Sequence, residues 1–182
     1  MADASQPWLI PGAIRDPQSV TPHWDRLVDL IPGVKIQEIK RVSTAYGFLE
    51  ELWRKDWGFG DADQVFQTTL MSGRISAWHS HGKTFDRLYV ASGIVQIVLY
   101  DYVRRLVNEL VYGDHRPALV VIPPGIWHGT RNVGPGPARV INVVDRAYSY
   151  TEPDHWRLPA DTDQIPFDGF RRALLQKPPP GP

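Results

Sequence analysis

Three histidines and one aspartate carry the chemistry this chain can do. His79 and His81 close the segment Gly73-Arg-Ile-Ser-Ala-Trp-His-Ser-His81, Asp86 follows, and His128 stands after the turn Pro123-Pro-Gly125, ahead of Asn132. Residues two apart on a strand project to the same face, whereas on a helix they would diverge by roughly 200°. A strand therefore puts His79 and His81 into one pocket, and the Pro-Pro-Gly turn can return a second strand carrying His128 beside them. Two chemistries fit. Neutral imidazoles and a carboxylate converging on one ion would make His79, His81, Asp86 and His128 a three-nitrogen, one-oxygen metal site, suited to Fe(II), Mn, Ni or Zn. A histidine with an ordinary pKa of about 6.5, held in one tautomer by a carboxylate, would instead serve as a general base without any metal. A solvated histidine pair on an edge strand is the bland alternative, and the second cluster around His128 argues against it.

The elements that must position these residues read as strands. Runs rich in Val, Ile, Tyr, Phe and Trp are expected over Val34–Val42, Gly47–Trp53, Val65–Met71, Ile75–His81, Arg87–Val90, Ile94–Tyr100, Val107–Val111, Ala118–Ile122 and Arg139–Val144. Their spacing, without helical segments between them, predicts an antiparallel sandwich or barrel. Ahead of them, residues 1–20 carry Pro7, Pro11 and Pro17 and read as an extended arm. Thr21-Pro22 then caps a short amphipathic helix through Trp24, Leu27, Val28 and Ile31, stopped by Pro32-Gly33. The organisation expected is arm and helix over 1–33, one β domain over 34–170, and a disordered Pro-rich tail over 171–182. Trp78 and Trp127 each precede a pocket histidine, so alternation turns them to the opposite face, into packing or an interface.

Composition excludes several classes. The 182 residues hold 20 basic and 20 acidic side chains, so no net field attracts nucleic acid or an anionic membrane surface. Without cysteine there is no disulfide and no thiolate chemistry, and a cytoplasmic location is the expectation. The apolar arm and the surplus of tryptophans suggest a homodimer.

Gly73, His79, His81, Asp86 and Gly93, followed by Pro123, Gly125, His128 and Asn132, resemble the two cupin motifs, with Asp86 where the first usually has glutamate. That resemblance implies an all-β cupin jelly-roll barrel. A longer series, Gly47-Phe-Leu-Glu50, Phe66-Gln67, Ser76–His79, Arg87-Leu88, Ile122–His128 and Asp145 through Tyr148 to Pro153, is similar to the dTDP-4-dehydrorhamnose 3,5-epimerase family, a metal-free branch of the cupins. The similarity implies inversion of carbons flanking a 4-keto group on a nucleotide-linked sugar, with no cofactor. It would make His79 the base, Arg87 the enolate-stabilising cation and Asp161 the orienting carboxylate. Phe48, Glu50, Gln67, His128 and Tyr148 would line the substrate. The chain departs from the family at Ser76 and Ser43-Thr-Ala-Tyr46, where arginines hold the diphosphate, and at Ile141, which stands for the catalytic tyrosine. Two other readings remain open: a metal-dependent cupin enzyme using a divalent transition metal, and a non-catalytic sugar-binding cupin.

Overall fold

The computed structural model describes residue 13, residues 18–22 and residues 29–175. Most of the expected N-terminal arm, most of the expected short helix, and the end of the tail lie outside the described residues. The rest forms twelve strands: β1 (Lys35–Glu38), β2 (Arg41–Thr44), β3 (Gly47–Glu50), β4 (Gln64–Leu70), β5 (Ile75–Ser80), β6 (Asp86–Ser92), β7 (Ile94–Asp101), β8 (Leu106–Gly113), β9 (Ala118–Ile122), β10 (Trp127–Asn132), β11 (Ala138–Val144) and β12 (Trp156–Arg157). One helix, α1, spans Gly169–Leu175. Two five-stranded antiparallel sheets, ordered β1-β9-β6-β11-β4 and β12-β5-β10-β7-β8, face each other, and β2 and β3 form a separate hairpin. This is the expected all-β jelly roll.

Period-2 alternation builds the interior. Leu88 and Val90 of β6, Val95, Ile97 and Leu99 of β7, and Ala118, Val120 and Ile122 of β9 meet in the central core between the sheets. Their sequence neighbours point outward but are buried too, because each sheet is covered on its back. Tyr89, Leu119 and Val121 lie under Leu52, Trp53, Trp57 and Phe59, while Trp78, Val98 and Tyr100 lie under Ile165, Phe167 and Phe170. Burying a side chain such as Phe170 contributes about 2–3 kcal/mol. Both faces being covered explains why these strands read as continuous apolar runs rather than clean alternation.

The coverings use most of the tryptophans that suggested an interface. Trp53, Trp57, Trp78 and Trp127 all pack on the chain's own clusters, and Trp156 is exposed. Helix α1 begins inside the expected domain and runs five residues into the expected tail, since Phe170 seats it against Trp78 with ring centroids 4.9 Å apart. Gly129 of β10 makes that seat possible: a Cβ there would come within 2.5 Å of the Phe170 ring. The expected strand Val34–Val42 is split at Ile39-Lys40, so that β1 joins the first sheet and β2 turns away into the hairpin. Among the described residues no helix is long and apolar enough to cross a membrane.

Candidate functional site

A cavity of about 450 Å³ opens at one end of the barrel, between the inner faces of the two sheets. β5 supplies Ser76 and His79, and His81 follows it directly. β10 supplies His128, and β6 and β11 supply Asp86 and Asn142 from across the barrel. His79 and His128 are register partners on adjacent strands, and the register slips by one residue beyond them, between His128 and Thr130. The slip puts an extra residue in β5, so Ser76 faces the cavity together with His79 although three positions separate them. Trp78 points to the opposite side and is buried under α1, as alternation requires.

His81, Asp86 and His128 converge. His81 Nε2 stands 3.1 Å and His128 Nε2 3.2 Å from the same oxygen, Asp86 Oδ2. The other carboxylate oxygen accepts a 2.6 Å hydrogen bond from Asn142 Nδ2. Each ring's remaining nitrogen meets a backbone carbonyl: His81 Nδ1 donates to Asp154, and His128 Nδ1 donates to Ile126 at 3.2 Å. A carbonyl can only accept, so both rings carry hydrogen on Nδ1. Burial alone would raise the Asp86 pKa, but the hydrogen bond from His81 and the charge of the two rings outweigh it and hold the carboxyl at about 2. Burial likewise works to lower His81, yet its contacts with Asp86 raise it overall, whereas complete burial lowers His128.

His79 stands apart from this trio. Its Nδ1 lies 2.8 Å from His155 Nε2, and its Nε2 lies 3.0 Å from the Ser76 hydroxyl. Burial first, then the fields of His128 and Arg157, push its pKa down to about 3, which keeps the ring neutral. His155 is lowered for the same leading reason. The C-terminal segment that brings His155 is strapped to β5 by the pairs Trp156 with Ser80 and Arg157 with His79. Asp154 locks the strap to the 82–84 turn, accepting from the Gly82, Lys83 and Thr84 amides and from the Thr84 hydroxyl at 2.7–3.0 Å. Lys83, Arg146, Arg157 and Tyr148 complete the cavity wall, with Tyr148 47% exposed.

The structure thus brings together His79, His81, Asp86, His128 and Tyr148 of the residues singled out from sequence. It does not bring the others to the cavity. Arg87 follows inward-facing Asp86 on β6 and therefore faces the back of the sheet. There it is fully buried, and its guanidinium donates to the carbonyls of Val143, at 3.2 Å, and Phe59. Asp161 is exposed in a turn beyond the strap, and the partner of His79 is His155 instead. Gln67 lies on the outer face of β4, opposite Ile141, while Gln64, Phe66 and Thr68 face the cavity. Ile141 likewise points outward, so the inward position on β11 is Asn142. Phe48 and Glu50 share a face of the β2–β3 hairpin, as expected, but that face is occupied by Arg41, which stacks 4.2 Å over Phe48 and pairs with Glu50 at 2.7 Å. Glu50 also accepts from the Tyr89 hydroxyl at 2.8 Å. Asn132 of the second motif is structural: fully buried, it donates to the Leu70 and Gly136 carbonyls and accepts from the Gly134 amide. The residues that sequence reasoning missed, His155, Lys83, Arg146 and Arg157, sit in the strap and turns, where no periodicity marks them.

Against known proteins, no family model matches the chain. The spore coat polysaccharide biosynthesis protein SpsL of Bacillus subtilis is 32% identical over 148 residues, covering 76% of this chain and 96% of that protein. The Probable low-salt glycan biosynthesis epimerase Agl13 of Haloferax volcanii is 29% identical over 146 residues, covering 76% and 94%. Among solved structures, a dTDP sugar isomerase from Desulfovibrio desulfuricans superposes with a TM-score of 0.71 at 24% identity, covering 75% of this chain and 90% of its own.

Proposed function

The chain belongs to the dTDP-4-dehydrorhamnose 3,5-epimerase-like family of the cupin superfamily, and we propose that it moves a proton beside the keto group of a nucleotide-linked 4-keto sugar, with His79 as base. The relatives' names support the substrate class: polysaccharide and glycan biosynthesis in two of them, a dTDP sugar in the third. The observation that carries the reading is the His79–His155 pair. A neutral imidazole is fixed in orientation through Nδ1, and its Nε2 meets only the small Ser76 hydroxyl on the cavity side, which a substrate C–H can replace.

Removing a proton next to a ketone puts negative charge on the keto oxygen, and preorganised cations at that oxygen supply the main electrostatic stabilisation. With Arg87 turned away, Lys83, Arg146 and Arg157 are the cavity cations available for that charge and for the diphosphate. Tyr148 on the cavity wall is the group suited to return a proton, since Ile141 faces outward. Epimerisation at the carbons flanking the ketone follows when the proton returns on the other face.

The test is hydrogen exchange in D₂O. A dTDP-linked 4-keto-6-deoxy sugar should gain deuterium beside the ketone, and His79→Gln should slow that uptake by at least about 10²-fold, the low end for a general base. Tight sugar binding with no uptake by the wild-type protein would replace this reading with that of a non-catalytic sugar-binding cupin.

A further inference from the structure

We infer that His155 receives the proton charge that His79 takes up, so that the base is a pair of imidazoles rather than a single ring. The inference rests on the proton-transfer reading above and extends it by one residue. Three polar groups stand in line. The Ser76 hydroxyl lies 3.0 Å from His79 Nε2, and His79 Nδ1 lies 2.8 Å from His155 Nε2. The far nitrogen of His155, Nδ1, has no hydrogen-bond partner among the described residues and is not sealed from solvent.

The other two cavity histidines show what sets this pair apart. His81 and His128 each give the Nδ1 hydrogen to a backbone carbonyl, that of Asp154 and that of Ile126. A carbonyl fixes a tautomer but has no basic nitrogen to take the proton over. Of the three rings, His79 alone is backed by a nitrogen base. To act on a substrate C–H it must present a bare Nε2, which puts its hydrogen on Nδ1 and makes His155 Nε2 the acceptor. Neutral His155 then carries its hydrogen on Nδ1, the nitrogen open to water.

The step balances. The C–H bond beside the ketone breaks, its electron pair enters the enolate, and the proton bonds to His79 Nε2. The Nδ1–H bond of His79 breaks as an N–H bond forms at His155 Nε2. His79 ends neutral in its other tautomer, and His155 ends as an imidazolium that loses its Nδ1 proton to water. After product leaves, water at the two ends of the line resets both tautomers. Charge placement favours this route. Burial, then the fields of His128 and Arg157, press the His79 pKa down to about 3, and among the described residues no carboxylate pairs with its ring. Burial, then His81 and Arg157, lower His155 as well, but it is the less enclosed ring. A partner that only oriented His79 would leave the positive charge on the ring least able to hold it.

The test reads tautomers and rates. In protein with ¹⁵N-labelled histidine, ring spectra should show resting His79 with its hydrogen on Nδ1 and His155 with a bare Nε2. A hydrogen on His79 Nε2 overturns the relay, and this wild-type result decides if the variants fail to fold. Deuterium uptake into a dTDP-linked 4-keto-6-deoxy sugar should fall at least about tenfold in kcat for His155→Ala, with KM within about threefold of wild type. It should be unchanged in His115→Gln, a change at an exposed histidine. Added imidazole should restore the His155→Ala rate, whereas triazole, similar in size and hydrogen bonding but a far weaker base, should not. Equal rescue by both, or a wild-type rate in folded His155→Ala, reduces His155 to an orienting role and overturns the relay alone. Sugar bound by wild-type protein without deuterium uptake discards the proton-transfer reading and the relay with it.

Discussion

The cavity has two halves of different construction. His81, Asp86 and His128 are carried on or beside strands whose neighbours on both sides fix their register, and Asn142 locks them from across the barrel. His155, Arg157 and Tyr148 ride on the segment after β11, which is tied to the barrel by the two-residue strand β12, the backbone pair of Leu158 with Trp78, the carboxylate and carbonyl of Asp154, the His79–His155 contact and the Tyr148 amide donating to Gln64. The strand-borne half cannot be moved without unfolding the sheets. The strap-borne half is expected to yield first, while the jelly roll persists.

The largest expected effect lies behind the strand-borne half. Phe170→Ala empties the seat of α1 on Trp78 and should cost about 3–5 kcal/mol in denaturant unfolding, the range for buried aromatic truncations. A loss below about 1 kcal/mol would mean that α1 is not part of the cooperative unit and that the two halves are held with similar firmness.

A smaller and more local effect is expected in the strap. Asp154→Ala removes four hydrogen bonds to the 82–84 turn, and because Asp154 is only partly buried the cost should be about 2 kcal/mol. Hydrogen exchange should speed up at Gly82–Thr84 and Trp156–Leu158 while β7 and β9 stay protected. Uniform loss of protection across the barrel would show that the strap is integral to the fold.

The smallest effect is expected at Asp161. As an exposed turn residue away from His79, Asp161→Asn should change stability by less than about 0.5 kcal/mol and leave deuterium uptake unchanged. A fall in uptake of tenfold or more would restore a carboxylate to the base and demote His155.

Legibility in the sequence divides along the same line. His79, His81, Asp86 and His128 could be placed in one cavity because two-residue spacing and a Pro-Pro-Gly return constrain paired strands. Alternation also put Trp78 on the back of its sheet. The same rule excludes Arg87, since adjacent residues of β6 cannot both face inward and Asp86 does so. It likewise places Gln67 and Ile141 outside, on strands whose inward positions are Thr68 and Asn142. Burial offered no warning, because Trp53, Trp57 and Phe59 cover the outer face as fully as the core covers the inner one. Phe48 and Glu50 share a face, but nothing in their own segment shows that the chain breaks at Ile39-Lys40 and carries the hairpin off the sheet. His155 left no periodic signal: its position is set by tertiary pairing of Trp156 and Arg157 with β5.

On the proposed function, proton transfer sits on the cavity face, at His79, and not on the covered back of β6, at Arg87. Deuterium uptake into a dTDP-linked 4-keto-6-deoxy sugar, measured side by side for folded His79→Gln and Arg87→Met proteins at equal substrate saturation, tests it directly. The account predicts a loss of at least about 10²-fold for the first and a rate within about threefold of wild type for the second, since a buried guanidinium bonded to Val143 and Phe59 touches no substrate. Equal losses in both variants, or a larger loss in Arg87→Met, would contradict it.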